Sequence, residues 1–285
     1  MAKSKANIKF VIDCSDKRNE YIFDMLFKSK FSVERYSALI NYADIYKIEN
    51  TEQKEVVFLF APLTEIDLVM AEKIPNMAKV FCFRIQEKTA ESFIYKDVKV
   101  YNYFDDEILA MKNAYLTAEG TLKLVIENTE ISLKDLSVLV LGYGRVGKCV
   151  TDILNKNDCK TAVAVRNIQD TALASIHAAA VFDFKGYEKY LNQFNVIINT
   201  VPALIIKKRQ LAKAKQDCLI IDLASKPGGI DFETAKEMEI NTIHALGIPG
   251  KTSPKTAGKY ILESVFQLLE KEKLSTKSTK EVKKI

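Results

Sequence analysis

The residues with the clearest chemistry are Gly142-Tyr143-Gly144-Arg145-Val146-Gly147, three glycines in the spacing G-x-G-x-x-G. Alone, that spacing marks only a tight strand-to-helix turn. The setting adds more: Val138-Leu139-Val140-Leu141 leads in as an apolar strand, and Val150, Ile153 and Leu154 give the following residues a helical apolar face. A second strand, Thr161 to Val165, starts within the length of one β-α-β unit. In such a unit Gly142 permits the turn, Gly144 lets backbone approach a pyrophosphate, and Gly147 lets the helix lie close on the strand. Backbone N–H groups at the helix start then hold the phosphates. The turn predicts a dinucleotide site.

Which dinucleotide depends on the tip of the second strand, where an Asp or Glu accepts from both ribose hydroxyls of NAD. Here the strand ends Ala164-Val165-Arg166-Asn167, without a carboxylate. Arg166 can form a charge-assisted pair with a 2′-phosphate, so the expected cofactor is NADP. Asp170, slightly later, is the acid that could oppose this choice.

Substrate chemistry should sit in the loops that follow the strands. After the fourth strand of this half comes Asn199-Thr200-Val201-Pro202, after the fifth Asp222-Leu223-Ala224-Ser225-Lys226-Pro227-Gly228-Gly229, and after the sixth the run Gly247 to Gly258. Lys226, Lys251 and Lys255 could bind an anion there, while Ser253 and Thr256 could cap the final helix or bind a carboxylate. Neither histidine suits a proton shuttle, since His244 lies in a strand pattern and His177 on a helix face. These residues read together as an NADP-dependent oxidoreductase acting on a small acidic molecule held between two domains.

The elements that must position these groups are α/β throughout. In the first part, Ile8 to Ile12, Val56 to Phe60 and Val80 to Phe83 are short apolar runs alternating with helical patterns, which predicts a parallel sheet covered on both faces. A helix from Thr117 to Asn128 follows. The second part offers six strands with helical crossovers: Ser137–Leu141, Thr161–Val165, Ala180–Phe182, Asn195–Thr200, Cys218–Leu223 and Asn241–Leu246. The expected fold is two domains, a flavodoxin-like α/β domain over residues 1–115 and a Rossmann doubly wound parallel sheet over 116–274, which includes the linking helix.

Composition narrows the class. Across 285 residues, 48% hydrophobic and 28% charged residues are the balance of a soluble globular protein. The apolar runs stop far short of the ~20 residues that cross a bilayer. The residues after Met1 carry positive charge but no apolar stretch of signal-peptide length, so a cytoplasmic location is expected. The net charge of +5 falls mostly at the end, where Lys271, Lys273, Lys277, Lys280, Lys283 and Lys284 outnumber Glu272 and Glu281. Residues 275–285 therefore read as a disordered basic tail, and the near-neutral body argues against nucleic-acid binding. The five cysteines are odd in number and widely spaced among apolar residues, as reduced packing residues are, and no metal site is expected.

Several longer runs are more specific than the glycine turn. They are Thr117-Ala118-Glu119-Gly120, Asn199-Thr200-Val201-Pro202-Ala203, Ile221-Asp222-Leu223-Ala224-Ser225-Lys226-Pro227-Gly228-Gly229-Ile230-Asp231-Phe232, Gly247-Ile248-Pro249-Gly250 and Pro254-Lys255-Thr256-Ala257-Gly258. With the Val138 to Gly147 turn, the chain resembles the A subunits of dipicolinate synthase from endospore-forming bacteria. The resemblance runs from about Asn113 to Ala257; the N-terminal domain matches in layout only. It departs at Asp13-Cys14-Ser15-Asp16-Lys17-Arg18, where the family has a Gly-Gly-Asp turn, at Phe81-Cys82-Phe83-Arg84, and at Tyr115-Leu116 in place of Ile-Pro.

The resemblance implies oxidation of a dihydrodipicolinate ring to pyridine-2,6-dicarboxylate during spore formation, with NADP as hydride acceptor. The implied partner is a flavoprotein-like B subunit, and the implied location is the mother-cell cytoplasm; a homo-oligomer is a further expected assembly. Thr117 and Glu119 would approach the substrate, Lys226, Lys251, Ser253 and Lys255 would neutralise its carboxylates, and Asn199, Thr200 and Asp222 would position the nicotinamide end. Arg18 and Arg84 are candidate contacts from the first domain. Two rivals stay open: a D-2-hydroxyacid-dehydrogenase-like enzyme, and a non-catalytic NADP-binding subunit.

Overall fold

A computed structural model describes residues 8–46 and 55–282. Most of the apolar runs become strands buried on both faces, the signature of parallel sheets under helical cover. Two compact units result, one of Met1–Ala110 with Ser253–Ile285 and one of Met111–Thr252.

The first unit holds β1 (Ile8–Ile12), β2 (Ser32–Arg35), β3 (Glu55–Leu59), β4 (Lys79–Cys82) and β5 (Lys99–Asn102). They form one parallel sheet in the order β2-β1-β3-β4-β5, the flavodoxin-like order. Strands β2 and β5 fall outside those expected from the sequence. Both are edge strands, Ser-Val-Glu-Arg and Lys-Val-Tyr-Asn, whose exposed, charged positions dilute the apolar signal.

The second unit holds β6 (Ser137–Leu141), β7 (Lys160–Val165), β8 (Ala180–Asp183), β9 (Val196–Asn199), β10 (Leu219–Asp222) and β11 (Thr242–His244). Each strand expected from the sequence is present. Their order, β8-β7-β6-β9-β10-β11 and all parallel, is the doubly wound 3-2-1-4-5-6 arrangement of a Rossmann fold. Val138, Val140, Val196, Ile198, Leu219 and Ile221 face one core; Leu139, Leu141, Ile197 and Ile220 face the other. The order reverses between β6 and β9, so the carboxyl ends there open the crevice in which ligands bind.

The longer helices are α1 (Lys17–Lys28), α2 (Glu107–Asn128), α3 (Arg145–Lys156), α4 (Ile168–His177) and α5 (Pro254–Val282). Helix α2 begins ten residues before the stretch expected to be helical. Helix α5 belongs to the first unit, whereas the second domain expected from the sequence extends to residue 274. Its Ile261, Leu262, Val265 and Leu269 join Phe10, Ile22 and Leu26 in one core. Gly258 permits the approach, because a Cβ there would lie 2.5 Å from the Arg18 carbonyl oxygen. The backbone helix also runs on through 275–282, part of the segment expected to be a disordered tail. Once packed turns have met the cost of nucleation, polar residues extend a helix readily. Residues 283–285 of that segment lie outside the described residues.

Candidate dinucleotide site

The glycine turn sits where β6 hands over to α3. Gly142 adopts φ +95°, and a Cβ on it would lie 2.5 Å from Thr200 Oγ1 and 2.9 Å from Val201 Cγ2. Both the N–H and the hydroxyl of Thr200 donate to the Leu141 carbonyl at 2.9 Å, which ties the loop after β9 to the turn. Gly147 would place a Cβ 2.2 Å from the Gly142 carbonyl oxygen, so only glycine lets α3 lie this close. Gly144 is different. It is the helix N-cap without a side-chain cap, and a Cβ there would meet nothing within 4 Å. The space in front of it is therefore an open cradle, facing the helix-start N–H groups that have no intrahelical carbonyl to donate to.

Tyr143 is packed into the second unit. Its ring packs with Val163, Val165 and Ala174 and is 5% exposed. Burial, with Asp170 and Asp152 adding to it, raises the phenol above its ordinary pKa. The side chain is thus an anchor for the turn.

A cavity of about 510 Å³ opens over the turn, lined by Gly142 to Val146, by Arg166, Asn167 and Asp170 beyond β7, by Phe184 beyond β8, and by Thr200, Val201 and Pro202 beyond β9. That volume lies within the ordinary range for a small-ligand or cofactor pocket. Arg166 is exposed, its guanidinium 5.1 Å from the centre of the Phe184 ring. Asn167 caps α4 by accepting the Asp170 N–H at 2.7 Å, and its amide donates to Asp170 Oδ2 at 2.8 Å. Phe184 is not among the residues expected from the sequence. The strand-end rule, applied to β8 as it was to β7, would have found it.

Asn199 and Asp222 end adjacent strands and are fully buried. Their side chains address the protein itself. Asn199 donates to Asp222 Oδ1 at 2.8 Å and to the Val201 carbonyl at 3.0 Å, and accepts the Val201 N–H at 3.0 Å. Asp222 accepts the N–H groups of Ala224 at 3.1 Å and Gly229 at 2.7 Å, pinning both ends of the loop that carries Lys226. Gly229 leaves no room for a Cβ, which would lie 2.2 Å from Asn199 Nδ2. Lys226 is exposed at the loop tip, next to the cis Lys226–Pro227 bond.

The other expected site residues are spread over several elements. Thr117 is buried in α2 and donates to the Asn113 carbonyl at 2.8 Å, whereas Glu119, two residues on, is exposed. A spacing of two puts them on different faces of the helix. Gly120 accounts for the small residue in that run: a Cβ there would lie 2.1 Å from Ile248 Cγ2, in the short helix Ile248–Thr252 that presents exposed Lys251. Ser253 and exposed Lys255 start α5 in the first unit. Also in that unit, Arg18 is 3% exposed and its guanidinium makes two 2.7 Å bonds to Asp16. Arg84 lies 5.4 Å over the Phe83 ring.

Neither histidine stands in the cavity lining. His244 shares a 3.0 Å hydrogen bond with the Ala224 carbonyl and stacks on Phe232. Burial pushes the thiols of Cys82 and Cys218 up to about 12, so both are protonated packing groups at neutral pH. Among the described residues no cluster of His, Cys, Asp and Glu is placed to hold a metal, and no helix is long and apolar enough to cross a membrane.

Comparison with known proteins agrees with the Rossmann fold of the second unit. The family model for shikimate / quinate 5-dehydrogenase matches residues 123–247. The A subunit of dipicolinate synthase from Bacillus subtilis (strain 168) is 30% identical over 171 residues, which cover 60% of this chain and 58% of that protein. The matched region thus spans a little over half the length of that relative. Among solved structures, the A subunit of dipicolinate synthase from Bacillus halodurans superposes with a TM-score of 0.76 at 24% identity, covering 93% of this chain and 99% of that one. Its counterpart from Bacillus subtilis gives 0.79 at 22% identity, over 95% and 98%. The two structural likenesses concern the fold.

Proposed function

We propose that this chain, a homologue of the dipicolinate synthase A subunit with a Rossmann nucleotide-binding domain, oxidises a dihydropyridine-2,6-dicarboxylate to the aromatic dicarboxylate with NADP. The observation that carries the cofactor reading is the uncapped start of α3 at Gly144, beside a cavity that Arg166 also lines. The residues fit a dinucleotide: helix-start N–H groups for the pyrophosphate, and Arg166, braced by Phe184, for a 2′-phosphate. Similarity to dipicolinate synthase supports the choice of substrate.

Bound NADP would supply the hydride acceptor. One ring C–H bond breaks and its electron pair leaves as hydride; a second ring proton passes to water, giving the dicarboxylate, NADPH and a proton. Gain of aromaticity drives the step, so no strong protein acid or base is required, in keeping with two histidines outside the cavity. Lys226, Lys251 and Lys255, with the Ser253 hydroxyl, are the groups we assign to the two carboxylates. In the run that resembles the dipicolinate synthase family, exposed Glu119 stays assigned to the substrate side, whereas the buried Thr117 hydroxyl donates to the Asn113 carbonyl within α2. A flavoprotein-like B subunit in the same cytoplasm is the proposed partner.

NADPH fluorescence, followed with freshly generated dihydrodipicolinate in the presence and absence of the B subunit, tests the proposal. Turnover under either condition supports it, and none under both rejects it in favour of a binding-only role. Within an active enzyme, Lys255→Ala should raise KM for the dicarboxylate far more than KM for NADP. Equal rises would remove Lys255 from the substrate site.

A further inference from the structure

Asp170 is the acidic residue among those described as lining the cavity, and it stands in the same stretch as Arg166 and Asn167. A bare carboxylate there would repel a 2′-phosphate and offer the ribose hydroxyls of NAD an acceptor. Asp170 is not bare. Lys148 Nζ lies 3.4 Å from Oδ1, and the Asn167 amide donates to Oδ2 at 2.8 Å. Lys148 is itself located by the glycine turn, four residues beyond Gly144 in α3, with its ammonium 5.4 Å over the ring of buried Tyr143.

We infer that Lys148 is a specificity-determining positioning residue: by pairing with Asp170 it cancels the charge that would oppose Arg166, so the cavity favours NADP over NAD. The inference rests on the NADP reading above. Lys148 is not among the residues that line the cavity, so its effect passes through Asp170. Arg166 sets the attraction, and Lys148 removes the repulsion.

Calorimetric titration of the full-length protein with NADP+ and with NAD+ tests this without turnover. Because the pair is partly exposed, Lys148→Ala should weaken NADP+ binding by about 3- to 10-fold while moving NAD+ less than about twofold. Lys148→Arg should retain the preference, and Asp170→Asn alone should leave it nearly intact. In the Asp170→Asn background, Lys148→Ala should then have no effect on NADP+. An unchanged NADP+/NAD+ ratio in Lys148→Ala overturns the inference, as does an equal loss with and without Asp170. Arg166→Ala separates the layers. If it abolishes the preference while Lys148→Ala does not, only the inference fails; if it leaves the ratio untouched, the NADP reading fails with it. Matching circular dichroism spectra for each variant guard against misfolding.

Discussion

Asp222 and Asn199 illustrate what a residue's type does and does not disclose. Their place at strand ends, beside a cofactor turn, invites a role on the nicotinamide. In the fold they are fully buried and spend their polar atoms on each other and on the backbone of Val201, Ala224 and Gly229. Hydrogen bonds to a buried charge are each worth about 1.5–3 kcal/mol, and an amide in place of the carboxylate would set one N–H against another. Asp222→Asn should therefore cost roughly 3 kcal/mol in urea unfolding. Because Asp222 is not among the cavity-lining residues, affinity for NADP should fall less than about threefold in the folded variant. A much larger loss of affinity, without loss of stability, would return Asp222 to the cofactor. Arg166 shows the opposite case. Its place in the cavity lining was legible from the strand-end rule, whereas the pairing of Lys148 with Asp170 joins two helices, and no local pattern reveals it.

At the scale of one element, the start of α3 separates two jobs that the G-x-G-x-x-G spacing merges. Gly147 is a packing residue: a Cβ would meet the Gly142 backbone at 2.2 Å, and backbone cannot step aside as a flexible side chain can. Gly144 is not held by packing, with open space where the Cβ would go and an ordinary φ of −74°. Gly147→Ala should lower stability by about 2 kcal/mol and weaken dinucleotide binding as the helix shifts. Gly144→Ala should change stability by under about 0.5 kcal/mol yet reduce dinucleotide affinity at least about tenfold. Thermal melts paired with NADP titration separate the two; a destabilised Gly144→Ala, or a stable Gly147→Ala, would contradict the assignment. The four central strands of the second sheet, β6, β7, β9 and β10, were legible for a related reason. Strands buried on both faces carry unbroken apolar runs, while β2 and β5, at the edges of the first sheet, mix charge with apolar residues and lose that signal.

For the molecule as a whole, the informative event is the return of the chain to its first unit at Ser253, after the nucleotide-binding unit is complete. Sequence could show that α5 has an apolar face but not which sheet it covers, since covering is a long-range choice. The fastening of α5 is both apolar and ionic. Beyond the packed Ile261, Leu262, Val265 and Leu269, Glu272 pairs with Lys79 and Lys99 at the ends of β4 and β5 and accepts from Tyr101. Burial pushes the Glu272 carboxyl up, but the hydrogen bonds from Lys79, Lys99 and Tyr101 outweigh it and hold the pKa at about 2, below the ordinary 4.5. A carboxylate depressed in the folded state stabilises fully above its unfolded pKa and loses that contribution as pH falls through the folded one. Glu272→Gln should thus be less stable than the parent at pH 7, with the gap closing between about pH 4.5 and pH 2. Urea unfolding of both proteins across that range measures it. A gap that stays constant down to pH 2 would mean that Glu272 holds α5 by shape rather than by charge.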